Sequence, residues 1–462
     1  MNIQQILQNE RSASEGPIRA GLVGAGEFGA TFLAQARRMQ DLEGIAVCDR
    51  DLERARGALL AAGHREEEIA ECRDEDEAVR ARAAGKIVMV ACADLLARLP
   101  MEVVVEATGD PEGAAATALA AIENRKHVVM VTKEAEIVVG PELARLAAQN
   151  GVVHTPVDGD QPSLLIGLVG WADTLGLPVI CAGKASESDF VWDPDAGQVV
   201  AWGRSAAVPE YRDAFHGSGL TLDQLVAQRA RAPFPRATVP DLCEMGIVAN
   251  HTGLMPDRPD LHAPIARTIE LPTLLRERNA GGLLGGRGRV DMFNCLRRPD
   301  ELSFAGGVFA IVEAPDAATG RLLAAKGIPT CPEQRCILLH NPVHLLGAEA
   351  PMSALSAARL GCSTGGMDVR PRVDLVARAS RDLEAGEILA MGARHAVGGL
   401  DPELHAAGPV GEETPLPYYL ASGLKVRRHV RKGDLLRGGD VELASQSVLL
   451  KLRLDQDRHF LS

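Results

Sequence analysis

Aromatic residues are scarce in this chain of 462 residues, only 3% of it, with 3 Trp and 3 Tyr. That leaves few platforms on which single-stranded nucleic acid could stack. Positive charge is also in short supply. A net charge of -13 repels phosphate backbones, so nucleic acid is not an expected partner. The one dense basic stretch, KVRRHVRK at 425–432, reads as a solvated surface strand. Cysteines show no framework: there are 9, an odd number, and Cys48, Cys92, Cys181 and Cys336 fall in apolar runs. Such spacing fits reduced thiols, not paired bridges. Cys331 and Cys336 in CPEQRC lack a second pair at zinc-like spacing, which leaves a turn between strands. Long apolar runs are missing too. The greasiest stretch, after Asp160, is broken by Asp173, Pro178 and glycines at 167, 170 and 176, short of the ~18 residues a membrane span requires. The opening MNIQQILQNERSASEG carries charges where a secretory leader needs an apolar core. A soluble, cytoplasmic protein without membrane partners is the expectation.

What is present is ordinary globular composition, 46% hydrophobic and 24% charged, in a chain long enough for two to four domains. Near the start, the apolar strand IRAGLV leads into GAGEFG and then into ATFLAQARRM, whose apolar positions have helical spacing. A second strand, GIAVCD, ends at Asp49. Strand, glycine loop, helix, strand and acid in this order form the signature of a dinucleotide-binding unit. The glycines have separate roles, with a tight turn at Gly24, close backbone approach to a pyrophosphate at Gly26, and helix packing at Gly29. Glu27 and Phe28 complete the loop. Asp49 is placed to receive ribose hydroxyls, which favours NAD; the adjacent Arg50 can instead pair with the extra phosphate of NADP.

Further α/β units follow. The strand in EVVVEATGD ends at Thr108–Gly109, a loop suited to the nicotinamide side of the crevice. HVVMV runs into Thr132–Lys133–Glu134 with a helix expected from Pro141, and VVHTPVDGD begins the next strand. Strand ends near 108, 132 and 158 should converge on one edge of a parallel sheet, where such sheets bind ligands. The fold class is α/β: a Rossmann-type doubly wound sheet over 1–160, an α+β central catalytic and oligomerisation domain over 161–365, and a small β-rich domain over 366–462. In the last, RDLEAGEIL and VRKGDLL are two variants of one phrase.

Hydride transfer to a carbonyl calls for a donor that stabilises the developing alkoxide, and skeletal rearrangement also needs a group that moves a hydroxyl proton. Lys184, after the apolar PVICAG, and Lys133, after HVVMVT, are the candidates; a strand-end lysine that snorkels to solvent is the commoner fate. Asp158 and Asp160 share a face if extended, suiting a divalent cation or substrate hydroxyls. In a turn they would only bond their own backbone, with Asp160 capping a helix over 163–175. Glu187 and Asp189 could orient Lys184 or share the cation. His251, His340 and His344 are weaker candidates, and Arg287 and Arg289 lie in a glycine-rich loop of a kind that closes over anions.

The phrases GAGEFG, VTKE and GPELARLA resemble the cofactor domain of homoserine dehydrogenase. DGDQP, AGK, VANHTGLMP and HNPVHLLGAEAPMSALSAARLG, together with RDLEAGEIL and VRKGDLL, resemble a family that joins such a domain to a C-terminal SAF-type domain. That family includes the bacterial DXR-like (DRL) reductoisomerases, which convert deoxyxylulose phosphate to methylerythritol phosphate with NADPH in isoprenoid biosynthesis. The resemblance implies an NAD(P)H-dependent oxidoreductase, with NADPH favoured over NADH, and a catalytic role for Lys184. Lys133, Asp160 and Glu187 are further catalytic candidates by position, Asp158 and Asp160 are candidates to hold a Mg or Mn ion, and apolar surfaces in the middle domain point to a homo-oligomer. Two departures bear on substrate. The acidic, lysine-bearing segment of true homoserine dehydrogenases has no counterpart here. Where the reductoisomerase-like members have DGTK, this chain reads VPDLCEMGIVAN, keeping acids at Asp241 and Glu244 without the lysine. A dehydrogenase or oxidoisomerase of a sugar acid or polyol is the alternative, and a non-catalytic nucleotide sensor is the alternative of another class.

Overall fold

The computed structural model describes residues 2–10, 16–217 and 219–461. They fall into two compact units, one of Met1–Ser163, Leu345–Asp401 and Ala407–Ser462, the other of Leu164–His344 and Pro402–Ala406. Among the described residues, no helix is long and apolar enough to cross a membrane.

The first unit is built on seven parallel strands: β1 (Ile18–Val23), β2 (Leu42–Cys48), β3 (Ile69–Glu71), β4 (Ile87–Val90), β5 (Val103–Glu106), β6 (His127–Met130) and β7 (His154–Pro156). They lie in the order β3-β4-β2-β1-β5-β6-β7, so the chain winds outward from β1 and then returns to its other side at β5. This is a Rossmann-type sheet, and its ligand crevice is expected at that reversal. The central strands read as unbroken Val, Leu and Ala runs because helices cover both faces, and Val103, Val104, Val105, Val128 and Val129 are fully buried.

The helix after β6 begins at Lys133 and runs to Gln149, eight residues earlier than a start at Pro141 implies. Pro141 lies inside it and forgoes one backbone hydrogen bond. Burial overrides that loss: every residue from Glu134 to Leu143 is buried, so tertiary packing holds a helix that local propensity would end. Lys133 is thereby the first residue of a helix, not part of a loop.

The 366–462 segment carries β17 (Val373–Ala379), short 3-10 turns and a helix over Val448–Phe460 that its sequence pattern did not announce. Ser447 caps this helix, and Glu112 of the helix Pro111–Glu123 accepts from the Val448 and Leu449 amides at 2.6 and 3.3 Å. Arg453, fully buried, pairs with Asp374 at 2.6 Å and Asp457 at 2.7 Å. The Glu112 contacts fasten the C-terminal segment to a helix of the dinucleotide sheet, and the Arg453 pairs hold the segment together internally.

The second unit holds a mixed sheet. Its strands are β8 (Val179–Ala185), β9 (Phe190–Asp193), β10 (Gln198–Ala201), β11 (Arg204–Ala207), β12 (Met255–Pro256), β13 (Ile265–Ala266), β14 (Arg289–Arg297), β15 (Val308–Glu313) and β16 (Cys336–Asn341). The order is β11-β10-β9-β14-β8-β15-β16, with β12 and β13 pairing β14. β8 lies parallel to β14 and antiparallel to β15, and Gly183 lets it approach β14 so closely that a Cβ would strike the Asp291 carbonyl. Phe293, Phe304 and Phe309 pack one face.

Candidate active site

At the reversal of strand order lies a cleft of 640 Å³, lined by Gly24 and Gly26 on one side and Thr108 and Asp110 on the other. Gly24 takes φ +97 and faces the Ala107–Thr108 backbone, where a Cβ would clash. Gly29 packs in the same way on the Gly24 carbonyl and on Leu22. Gly26, by contrast, looks onto open space. A backbone so stripped at the N-terminus of the helix Glu27–Ala36 presents amides to a phosphate. Glu27 is exposed on the first turn, while Phe28 packs partly against the hydrophobic core.

Asp49 sits at the end of β2 on the cleft wall. Its carboxylate accepts from the Ala25 and Asp51 amides, each at 2.9 Å, and so ties the glycine loop to the second strand. Arg50 is 88% exposed and 3.7 Å from Asp110. Arg54, one helical turn on, also lines the cleft, a second cation that the sequence pattern did not single out.

The floor beyond Thr108 is polar. Glu106, the last residue of β5, is fully buried, and burial raises its carboxyl from 4.5 to about 7 despite hydrogen bonds from Thr108 and Thr132. Thr108 donates to it from its amide at 2.9 Å and from its hydroxyl at 2.6 Å. Gly109, at φ +70, donates its amide to the Thr132 hydroxyl at 2.9 Å. Next along, Lys133 lies 3.3 Å from Asp160, and their side chains are 22% and 15% exposed.

Asp158 and Asp160 stand in a turn, with Gly159 at φ +93, and not in an extended strand. The turn sends the two carboxylates to separate partners. Asp158 accepts from the Ser163 hydroxyl at 2.5 Å, and its own carboxyl is raised by burial. Asp160 takes Lys133 and the Gln161 amide at 3.0 Å, immediately before the helix Gln161–Thr174. Among the described residues no set of three or more His, Cys, Asp or Glu side chains is arranged to hold a metal ion. The pair Asp158 and Asp160 therefore does not by itself fit a divalent cation.

In the second unit, Lys184 lies within β8, and its side chain is fully buried. Its ammonium meets three carboxylates: Asp241 at 2.9 Å, Glu244 in close contact, and Glu187 at 3.4 Å. Asp241 and Glu244 are almost wholly buried on the helix Val239–Thr252, three residues apart and hence on one face. Asp241 also accepts from the Thr238 amide and hydroxyl at 2.8 and 2.6 Å, which fixes it at the helix start. Glu187, 48% exposed, is the member that reaches solvent. The sequence signal was available in the spacing Asp-x-x-Glu, but nothing in it names the strand that the face covers. Asp189 goes elsewhere, to Arg297 at 2.6 Å.

The weaker candidates separate from these groups. Arg287 pairs with Glu277 and Glu313, and Arg289 lies 3.5 Å from Asp257, so carboxylates hold the glycine-rich loop. His251 is in the last turn of a helix and not in a loop; His340 is exposed on β16.

Residues 24–156 match the model of the homoserine dehydrogenase NAD-binding domain, and residues 159–350 match the catalytic domain of oxidoreductase DRL. No protein of curated function matches the chain. Solved structures with some likeness include a probable dehydrogenase from Thermotoga maritima, 11% identical over 64% of this chain and 72% of that one, with a TM-score of 0.33. An oxidoreductase from Agrobacterium radiobacter, in complex with NAD+, L-tartaric acid and magnesium, is 15% identical over 39% of this chain and 46% of that one, at 0.26. A DOX-P reductoisomerase with fosmidomycin and magnesium is 14% identical over 37% of this chain and 46% of that one, at 0.28. The chain thus spans under half of the reductoisomerase's length, and nothing about function follows from likenesses so remote. The two family matches are a different matter: they place an NAD-binding domain model and an oxidoreductase catalytic domain model side by side on this chain.

Proposed function

We propose that the protein reduces a small hydroxy-carbonyl compound of the sugar-phosphate kind, most concretely as a reductoisomerase that rearranges a ketose phosphate before reducing it. The observation that carries this reading is the Lys184 cluster, a buried ammonium held among Asp241, Glu244 and Glu187 inside the stretch that matches the DRL catalytic domain. The bound nicotinamide supplies the hydride. Substrate displaces Glu187, the longest of the three pairs at 3.4 Å, and Lys184 turns that N–H to the oxygen on which negative charge gathers, first as an enolate and then as an alkoxide. Glu187, half in solvent, carries the proton to and from that lysine. Asp241 and Glu244 keep the ammonium aimed.

The cofactor reading draws on the open face at Gly26, on Asp49 at the strand end, and on a cleft of 640 Å³, within the range of small-molecule sites. Arg50 and Arg54 beside Asp49 support NADPH over NADH, since two guanidiniums can receive a 2′-phosphate.

Cofactor oxidation, measured across phosphorylated and free ketoses, sugar acids and polyols, tests the reading. Turnover with a ketose phosphate and NADPH supports it. Turnover confined to sugar acids or polyols would replace it with the dehydrogenase alternative, and tight cofactor binding with no turnover on any of them would leave a nucleotide sensor.

A further inference from the structure

We infer that His395, delivered by the C-terminal segment, is a positioning residue that clamps the Thr108–Asp110 wall of the dinucleotide cleft through a pair with Glu134. The inference rests on the cleft holding a nicotinamide dinucleotide.

Thr108 and Asp110 line the cleft, and Gly109 between them has one side tied down by Thr132. The imidazole of His395 covers the other side. A Cβ placed on Gly109 would lie 2.9 Å from His395 Cε1, so that ring rests directly on the glycine backbone. His395 Nδ1 is 3.0 Å from Glu134 Oε1, and Glu134 is itself buried on the first turn of the helix that follows β6. The wall is thus held between Glu106 and Thr132 beneath it and an imidazole above.

The turn that presents His395 is strained. Arg394 and His395 take φ 54 and φ 56, two successive non-glycine residues in the left-handed region. Such a residue persists only where its surroundings over-determine it. Here they do. The Gly392 amide donates to the Ala396 carbonyl at 2.8 Å, and the Val397 amide donates to the Tyr418 hydroxyl at 2.8 Å. A turn that needed only to reverse the chain would use glycine at these positions. Keeping a histidine there fits a role for its side chain.

The charged groups acting on the imidazole are Glu134 and Lys133, both on the first turn of the helix that follows β6, and the Gly109 backbone also hydrogen-bonds to it. Pairing with Glu134 raises the imidazole's pKa above 6.5, while burial and Lys133 oppose the rise. The imidazolium–carboxylate pair is therefore intact at low pH and is lost as pH rises through that raised value.

NADPH and NADH binding, followed by cofactor fluorescence from about pH 6 to 9, tests this, since that range brackets a histidine titration. Wild-type affinity should fall with rising pH. His395→Asn keeps the left-handed backbone, which asparagine tolerates. It should weaken binding at low pH roughly tenfold, as loss of one charge-assisted hydrogen bond does, and flatten the profile. Glu134→Gln should move the profile to lower pH, a shift that a merely structural role for His395 would not produce. His429→Asn, on the exposed surface of the same segment, should match wild type. If wild type binds cofactor and His395→Asn equals it at every pH, the clamp is wrong while the cofactor reading stands. If wild type binds neither dinucleotide, the cofactor reading itself falls and takes the clamp with it.

Discussion

Lys133 and Lys184 arise from the same sequence pattern, a lysine closing an apolar strand, and the fold treats them in opposite ways. Lys133 leaves its strand, starts a helix, keeps 22% of its side chain exposed and pairs with Asp160. Lys184 stays inside β8, loses all exposure and meets three carboxylates. The difference comes from what covers each strand end. Beyond β6 the chain turns into its own helix, so the lysine sits at a rim. Beyond β8 a separate helix, Val239–Thr252, lays two acids across the strand. A buried ammonium is tolerable only with such partners, and removing one side of a buried pair strands the other.

The contrast can be broken by substitution. Lys184→Met leaves Asp241 and Glu244 buried without their cation and should cost about 3–5 kcal/mol of stability, read from the denaturant midpoint at unchanged slope. A midpoint near wild type would mean that water reaches the cluster. Glu106→Gln acts through pH. Burial raises the folded-state carboxyl from 4.5 to about 7, so the native state holds its proton more tightly than the unfolded chain. Stability should therefore fall as pH rises from about 4.5 to about 7, and the glutamine variant should lose that slope while unfolding at higher denaturant above pH 7. An unchanged pH profile would remove the acid from the cleft floor. The smallest effect is Lys133→Ala, which breaks the partly buried pair with Asp160 and should cost less than Lys184→Met, because both side chains keep some solvent. If it destabilises as much as Lys184→Met, the distinction between the two lysines collapses.

Much of the dinucleotide sheet was legible because its determinants are local. GAGEFG fixes a turn, an open face and a packing contact within six residues, and unbroken Val runs can only be central strands. Residues whose meaning depends on distant chain were not legible. Asp241 and Glu244 share a helix face, yet nothing nearby says that the face covers Lys184. His395 reaches Glu134 across more than two hundred and fifty residues of sequence. The helix Val448–Phe460 escaped detection because half of its buried face is polar. Arg453, Gln456 and Asp457 take core positions by pairing with Asp374, with each other and with the Val138 carbonyl, so no apolar period survives to be seen. Pro141 misled in the other direction, marking a helix start where burial had already carried the helix through.

The central claim is that Lys184 acts on the substrate and not on the cofactor. The direct measurement is NADPH affinity and substrate turnover side by side in wild type and Lys184→Ala, at a temperature where circular dichroism shows both folded. Turnover lost by about a hundredfold or more, the scale of removing one donor from a developing oxyanion, with cofactor affinity within about twofold, is the predicted result. Turnover retained in a folded Lys184→Ala protein would contradict it.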